Sequence, residues 1–224
     1  DRIKHGAKLL ENHVFQFDFL NDDFSKLPQG LQDIINNPEK RKKLVVYINP
    51  PYAEVSSVGN KGKAGVNQSK THTKYADSIG AASRELYALF FTRIFKEIDG
   101  CILGEFSKLK ALQGSAFNDF RNLFKAELLT SFIVPAWTFD NVKGNFPIGF
   151  KIWNTENKIS FTSTQSDVFN ENGEFIGTKT FSVAQKNEFI NKWISQYKVK
   201  TDFIGFLAGT NGNDFQQNGI VYIL

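Results

Sequence analysis

The residues best suited to chemistry are Asn49-Pro50-Pro51-Tyr52, directly after the apolar run Leu44-Val45-Val46-Tyr47-Ile48. The asparagine amide oxygen and the carbonyl of Pro50 are two acceptors that can converge on the two hydrogens of one NH2 group. Such an amine on an aromatic ring is a weak nucleophile, because its lone pair is delocalised into the ring. Binding both hydrogens pushes the nitrogen toward a tetrahedral, nucleophilic form. Two consecutive prolines have no N–H and fixed φ, so they leave the carbonyl free and rigidly aimed. Tyr52 adds an aromatic face on which a planar ring can stack. A plain proline turn after a strand is the simpler account of the same residues.

The elements that must carry this turn follow from the flanking pattern. Leu44 to Ile48 reads as a buried strand of a parallel sheet. Ligands of open α/β sheets bind outside the carboxyl ends of the strands, which is where Asn49 falls. Upstream, His13 to Leu20 alternates enough for another strand, with Asp18 near its end and the polar Asn21-Asp22-Asp23 after it. Leu31 to Asn37 reads as a short helix stopped by Pro38. Downstream, Tyr75 to Ile98 is the best helix in the chain, with Leu86, Leu89, Phe90, Ile94 and Ile98 at helical spacing. Strands are expected at Cys101–Phe106 and Leu128–Phe139, with a helix at Ser115–Lys125 between them. A further strand, headed by Phe146-Pro147, runs to Trp153.

Asn-Pro-Pro-Tyr after an apolar strand resembles the catalytic motif of S-adenosylmethionine-dependent amino-group methyltransferases, above all the adenine-N6 DNA enzymes. The resemblance runs from about His13 to Trp153. It implies that Asn49, Pro50, Pro51 and Tyr52 are catalytic, with Tyr52 stacking on an adenine flipped out of double-stranded DNA, as chemistry on a base in a duplex requires. It implies that Asp18 of Asp18-Phe19-Leu20 accepts from the adenine amine of the cofactor, with Phe19 beside that ring. It also implies that Phe146 clamps the flipped base opposite Tyr52. The expected fold is α/β, a Rossmann-like methyltransferase sheet that is partial, its first strands missing, with helices on both faces and a C-terminal α+β extension. Residues 1–155 would be the C-terminal part of the catalytic domain. Residues 156–224 would be an extension or the start of a target-recognition region, with a hairpin turning at Asn170–Gly173, a helix over Ser182–Tyr197 and a closing strand at Ile220–Leu224.

One part of the family pattern is absent. The glycine-rich loop that cradles the methionine and ribose of the cofactor belongs upstream of Asp18, yet Gly6 is the only glycine before Gly30. The chain also begins at Asp1 and contains no methionine. The expectation is therefore a piece of a longer enzyme that carries the catalytic half of the pocket.

Charge supports a nucleic-acid partner. The net charge is +4, and four of the positive charges, Lys61, Lys63, Lys70 and Lys74, fall in the stretch from Val55 to Ala76, which has no acidic residue. A Gly-, Ser- and Lys-rich segment directly after the motif predicts a loop able to track phosphates. Lysine runs also simply solvate surfaces, as Lys40-Arg41-Lys42-Lys43 does on the plainer view. With 41% hydrophobic and 22% charged residues the composition is that of a globular protein, and most of the 23 phenylalanines must be core. No apolar run is long enough to span a membrane. The single cysteine, Cys101, reads as a core filler compatible with a reducing cytoplasm, and the three histidines have no metal-ligand spacing. These features point to a cytoplasmic DNA adenine-N6 methyltransferase, the modification part of a bacterial restriction-modification system, working with a restriction or specificity subunit. Two other readings stay open: a methyltransferase acting on a protein glutamine amide or on the guanine amine of ribosomal RNA, and a truncated module that binds DNA or a partner without catalysis.

Overall fold

The computed structural model describes residues 5, 6, 8, 10–52, 66–139, 142, 146–183, 207–209 and 221–223. Its contacts divide the chain into Asp1–Ala184 and Gln185–Leu224. The first unit is a mixed α/β structure around a six-stranded sheet. Its strands are β1 (Val45–Ile48), β2 (Ile102–Lys108), β3 (Glu127–Pro135), β4 (Pro147–Asn154), β5 (Ser163–Phe169) and β6 (Phe175–Ser182), in the order β1-β2-β4-β3-β5-β6. β1 and β2 are parallel, and β4 runs antiparallel between β2 and β3. Consequently β1, β2 and β3 all end on the rim where β4 begins. β5 and β6, which the sequence pattern put in the extension, form the expected hairpin and join this sheet through β3. In the second unit, β7 (Leu207–Gly209) and β8 (Val221–Ile223) form an antiparallel pair. The helix expected over Ser182–Tyr197 lies largely outside the described residues.

Alternation along the strands sorts the sheet into two faces. Leu103, Glu105 and Ser107 of β2, Ser131 and Ile133 of β3, and Lys151 and Trp153 of β4 are buried. They meet α4 (Leu86–Glu97) and α6 (Asn118–Leu123), with α3 (Lys70–Ile79) behind them. Here lies one group of aromatic rings: Tyr87 stacks on Phe117, Phe120 stacks on Phe124, and Phe124 meets Trp153 edge-on at 5.4 Å. Each fully buried phenylalanine contributes about 1.5–3 kcal/mol. Cys101 is buried among them, as its apolar surroundings suggest.

The opposite face carries a second aromatic group, one ring from each of four neighbouring strands. Tyr47, Phe106, Phe150 and Phe132 touch in sequence across the sheet, and Phe169 of β5 continues the row. Gly104 permits the tiling, since a Cβ there would lie 3.3 Å from Phe150 Cζ. β1 is therefore not the buried central strand expected. Among the described residues it is hydrogen-bonded on one side only, and Val45 and Tyr47 are each 64% exposed.

Two more expectations are corrected. The single helix over Tyr75–Ile98 is two, because Gly80 adopts φ +53°, outside the helical range. A short 3-10 segment, Gly80–Arg84, turns the chain between α3 and α4. His13 to Leu20 forms no strand. Instead Phe17, Phe19 and Phe24 cluster together and Phe19 stacks on Phe90 of α4, so side-chain burial, not sheet pairing, holds this segment. Two short helices, α1 (Gln29–Ile35) and α2 (Pro38–Arg41), lead into β1; Pro38 begins the second helix, capped by the Asn37 side chain. α5 (Lys110–Gln113) follows β2.

Candidate functional site

Asn49 is the first residue beyond Ile48, the end of β1, and Ile48 sits in register with Glu105 of β2. Termination follows from the sequence: Pro50 and Pro51 have no N–H to extend the ladder. Asn49 is exposed, Pro50 buried, Pro51 exposed and Tyr52 half-buried. The buried proline seats the turn, while the amide of Asn49 stays open to solvent. The Tyr52 hydroxyl donates to Asn49 Oδ1 at 2.6 Å. Burial pushes the Tyr52 phenol far above its ordinary pKa, with the Glu105 carboxylate adding to the effect. The phenol is therefore protonated, and a hydrogen-bond donor, throughout the physiological range.

Phe146 reaches the same rim at the head of β4, and its carbonyl accepts from Ala136 N at 2.9 Å. Its side chain lines a cavity of about 800 Å³ whose walls include Leu109, Ile133, Val168 and Phe181, with Lys108 and Lys179 at its edge. The ring that meets Tyr52 is Phe139, edge-on at 6.3 Å. Among the described residues Phe146 and Tyr52 make no ring contact. Sequence reasoning placed Phe139 inside a strand. The only signal for it was an aromatic just before the turn-forming Asp140-Asn141.

Asp18 lies in the turn that replaces the expected strand. Its Oδ1 accepts from the backbone N–H of Leu20 and Asn21, and its Oδ2 from the Asn21 side-chain amide at 2.8 Å. The Asn21 amide, together with those backbone bonds, holds its carboxyl below the usual carboxylate range. Asp18 is exposed, and among the described residues its Oδ2 accepts one hydrogen bond where it can take two. Phe19 is engaged between Phe90 and the Arg93 guanidinium, which lies 5.2 Å from its ring centre. Arg93, on α4, also donates to the carbonyls of Phe19 and Asp22 and pairs with Glu97. One buried guanidinium thus ties the Asp18 turn to the helix downstream of the motif.

The lysines divide. Lys61 and Lys63 lie outside the described residues. Lys70 opens α3 behind the Ser69 cap and is exposed, and its backbone N–H donates to Asn21 Oδ1. Lys74 is exposed but pairs with Glu97 at 2.8 Å. Beneath the rim, Lys151 and Glu105 form an ion pair at 3.1 Å, both fully buried; Lys151 Nζ also donates to Ser107 Oγ and Trp153 Nε1 donates to Glu105 Oε1, while Glu105 Oε2 has no hydrogen-bond partner among the described residues. Composition gave no hint of this pair. Lysine and glutamate inside strands read as ordinary exposed positions unless the facing strand is known.

No family model matches the sequence, and no curated protein matches it by sequence. Solved structures resemble it in fold. A modification subunit assigned to a type I restriction enzyme from Vibrio vulnificus YJ016 has a TM-score of 0.40 at 12% identity, covering 70% of this chain and 32% of that one. A chain of a type I restriction-modification system has a TM-score of 0.35 at 18% identity, covering 56% and 23%. The ATP-dependent type ISP restriction-modification enzyme LlaBIII, bound to DNA, has a TM-score of 0.37 at 12% identity, covering 59% and 11%. The chain thus spans about a third, or less, of the length of these proteins.

Proposed function

We propose that this chain carries the catalytic turn of a DNA adenine-N6 methyltransferase, the modification part of a restriction-modification system. The observation that carries the reading is the exposed Asn49 amide at a strand end, with a rigid Pro-Pro step behind it and the Tyr52 ring within hydrogen-bonding reach. An adenine turned out of the duplex would stack on Tyr52, a contact worth about 1–3 kcal/mol. Asn49 Oδ1 and the Pro50 carbonyl would accept the two N6 hydrogens. Holding both hydrogens out of the ring plane localises the lone pair on N6 and aims it along one line. Asn49 has no basic group, so its part is to orient and polarise, and the proton displaced from N6 leaves to solvent.

S-adenosylmethionine would supply an electrophilic methyl group on a sulfonium sulfur. Asp18 Oδ2 is the acceptor proposed for its adenine amine, with Phe19 at the side of the same turn. Asn49 and the Pro50 carbonyl would hold N6 in line with that methyl group, so that the carbon–sulfur bond would give way to an N6–carbon bond with no covalent bond to the protein.

The experiment is methyl transfer by the full protein from labelled S-adenosylmethionine to unmethylated genomic DNA, followed by digestion to nucleosides. Label is expected in N6-methyladenine, and Asn49→Ala is expected to abolish it while leaving DNA binding in place. Label in glutamine or guanine would reassign the acceptor. DNA binding with no transfer in any fraction would leave a binding module.

A further inference from the structure

We infer that Phe139 is the residue that positions Tyr52 and, through it, the acceptor side of Asn49. The inference rests on the methyltransferase reading for its consequence, though not for its geometry. Among the described residues Tyr52 makes one hydrogen bond and one ring contact: its hydroxyl donates to Asn49 Oδ1 at 2.6 Å and its ring meets Phe139 at 6.3 Å, 70° apart in plane. Phe139 is itself fixed. Its ring meets Phe106 edge-on at 5.0 Å, its N–H donates to the Ala136 carbonyl, and its carbonyl accepts from Val142 N. Phe106 belongs to the aromatic row, in contact with Tyr47, Phe132 and Phe150. Through Phe106 the row links Phe139 to rings on four strands of the sheet.

The amide of Asn49 is nearly symmetric in shape, and only a bonding partner decides which end presents oxygen. The Tyr52 hydroxyl donates to Oδ1, which places the amide oxygen on the Tyr52 side, where a stacked ring would lie. The chain of control therefore runs from sheet face to Phe139, to Tyr52, to Asn49. An edge-on ring at 6.3 Å leaves no room for a base between Phe139 and Tyr52. Phe139 is accordingly a support for the stacking surface and not a second wall of the slot.

The test labels the full chain with 3-fluorotyrosine and follows the Tyr52 fluorine resonance, assigned by its loss in Tyr52→Phe. In Phe139→Leu the Tyr52 signal should sharpen and move toward that of free fluorotyrosine. Phe146→Leu should leave it in place, and Phe139→Tyr should restore it. An unmoved signal in Phe139→Leu, or equal movement in Phe139→Leu and Phe146→Leu, overturns the inference. In the same variants kcat/KM for methyl transfer should fall by about tenfold to a hundredfold for Phe139→Leu, the usual cost of a misplaced reacting group, and recover in Phe139→Tyr. A wild-type protein that transfers no methyl group would remove the functional reading, while the fluorine spectra would still decide where Tyr52 is held.

Discussion

Tyr52 donates its hydroxyl to the amide oxygen of Asn49, the same oxygen proposed to receive the amine of a substrate. In the free protein one of its two lone pairs is thus used from within, and the other would take an N6 hydrogen beside the phenol. Tyr52→Phe should cost about 1 kcal/mol of stability, the net value of such a bond, and should leave methyl transfer measurable. Tyr52→Ala also loses the stack, so KM for DNA should rise about 5- to 150-fold. Urea melts and steady-state kinetics on the two variants separate the hydroxyl from the ring.

Arg93 should matter more to stability than its single positive charge suggests. It is buried, bonds two backbone carbonyls of the Asp18 turn, pairs with Glu97 and lies over Phe19 and Phe24. Arg93→Met is expected to cost about 3–5 kcal/mol, because the two carbonyls lose this donor inside the protein and Glu97 keeps only Lys74 and Tyr75 of its three described partners. A smaller loss in urea denaturation, near 1 kcal/mol, would mean that the turn holds itself.

The buried Glu105–Lys151 pair makes a prediction about coupling. Burial pushes the Glu105 carboxyl up and the Lys151 ammonium down, and each partner's charge opposes that shift in the other. Lys151→Met alone should destabilise by about 3–5 kcal/mol. Adding Glu105→Gln should recover most of that loss, since the amide oxygen still accepts from Trp153 Nε1. Additive losses in the double variant would show that the two positions act independently.

Acid should loosen the contact between α4 and the N-terminal turn. Burial alone would raise the Glu97 carboxyl, but hydrogen bonds from Lys74, Tyr75 and Arg93 outweigh it and bring it below 4.5. A carboxylate depressed in the folded state contributes stability above its unfolded pKa and loses it as pH falls through the folded value. Thermal midpoints should therefore fall as pH drops below about 4.5. Glu97→Gln should be less stable at pH 7 and show a shallower acid limb. The remaining slope belongs to Asp18, Asp22 and Asp23, whose carboxyls are also lowered.

The lysines should contribute unequally to DNA binding. Each phosphate contact adds about 0.9 to the slope of log affinity against log salt. Lys61→Ala with Lys63→Ala is expected to lower that slope by nearly two. Lys74→Ala should change it less, because Lys74 already has Glu97 as counter-charge at 2.8 Å.

How much of this could be read from the residues differs by element. Pro50 and Pro51 end a strand wherever they stand, since neither has an N–H, and β1 stops at Ile48. The hairpin at Asn170–Gly173 was equally legible, because Gly173 supplies the positive φ its turn requires. Local rules cover both, so the sequence determined by itself that Asn49 would sit exposed at a strand end. They do not reach across the chain. His13–Leu20 alternates like a strand, yet alternation names a partner only when another edge is free, and here aromatic packing against α4 took its place. The long helical pattern from Tyr75 hid a break, because apolar spacing does not show that Gly80 takes a positive φ.

The motif, its turn and the acceptor chemistry were set by neighbours along the chain: proline geometry and side-chain type act over one or two residues. The partner of Tyr52, the burial of Glu105 with Lys151 and the tie from Arg93 to the Asp18 turn were decided by the tertiary structure alone. Each joins residues 20 or more positions apart. Pairing at that distance depends on strand order and on which face a side chain takes, and neither is encoded in any local run of residues.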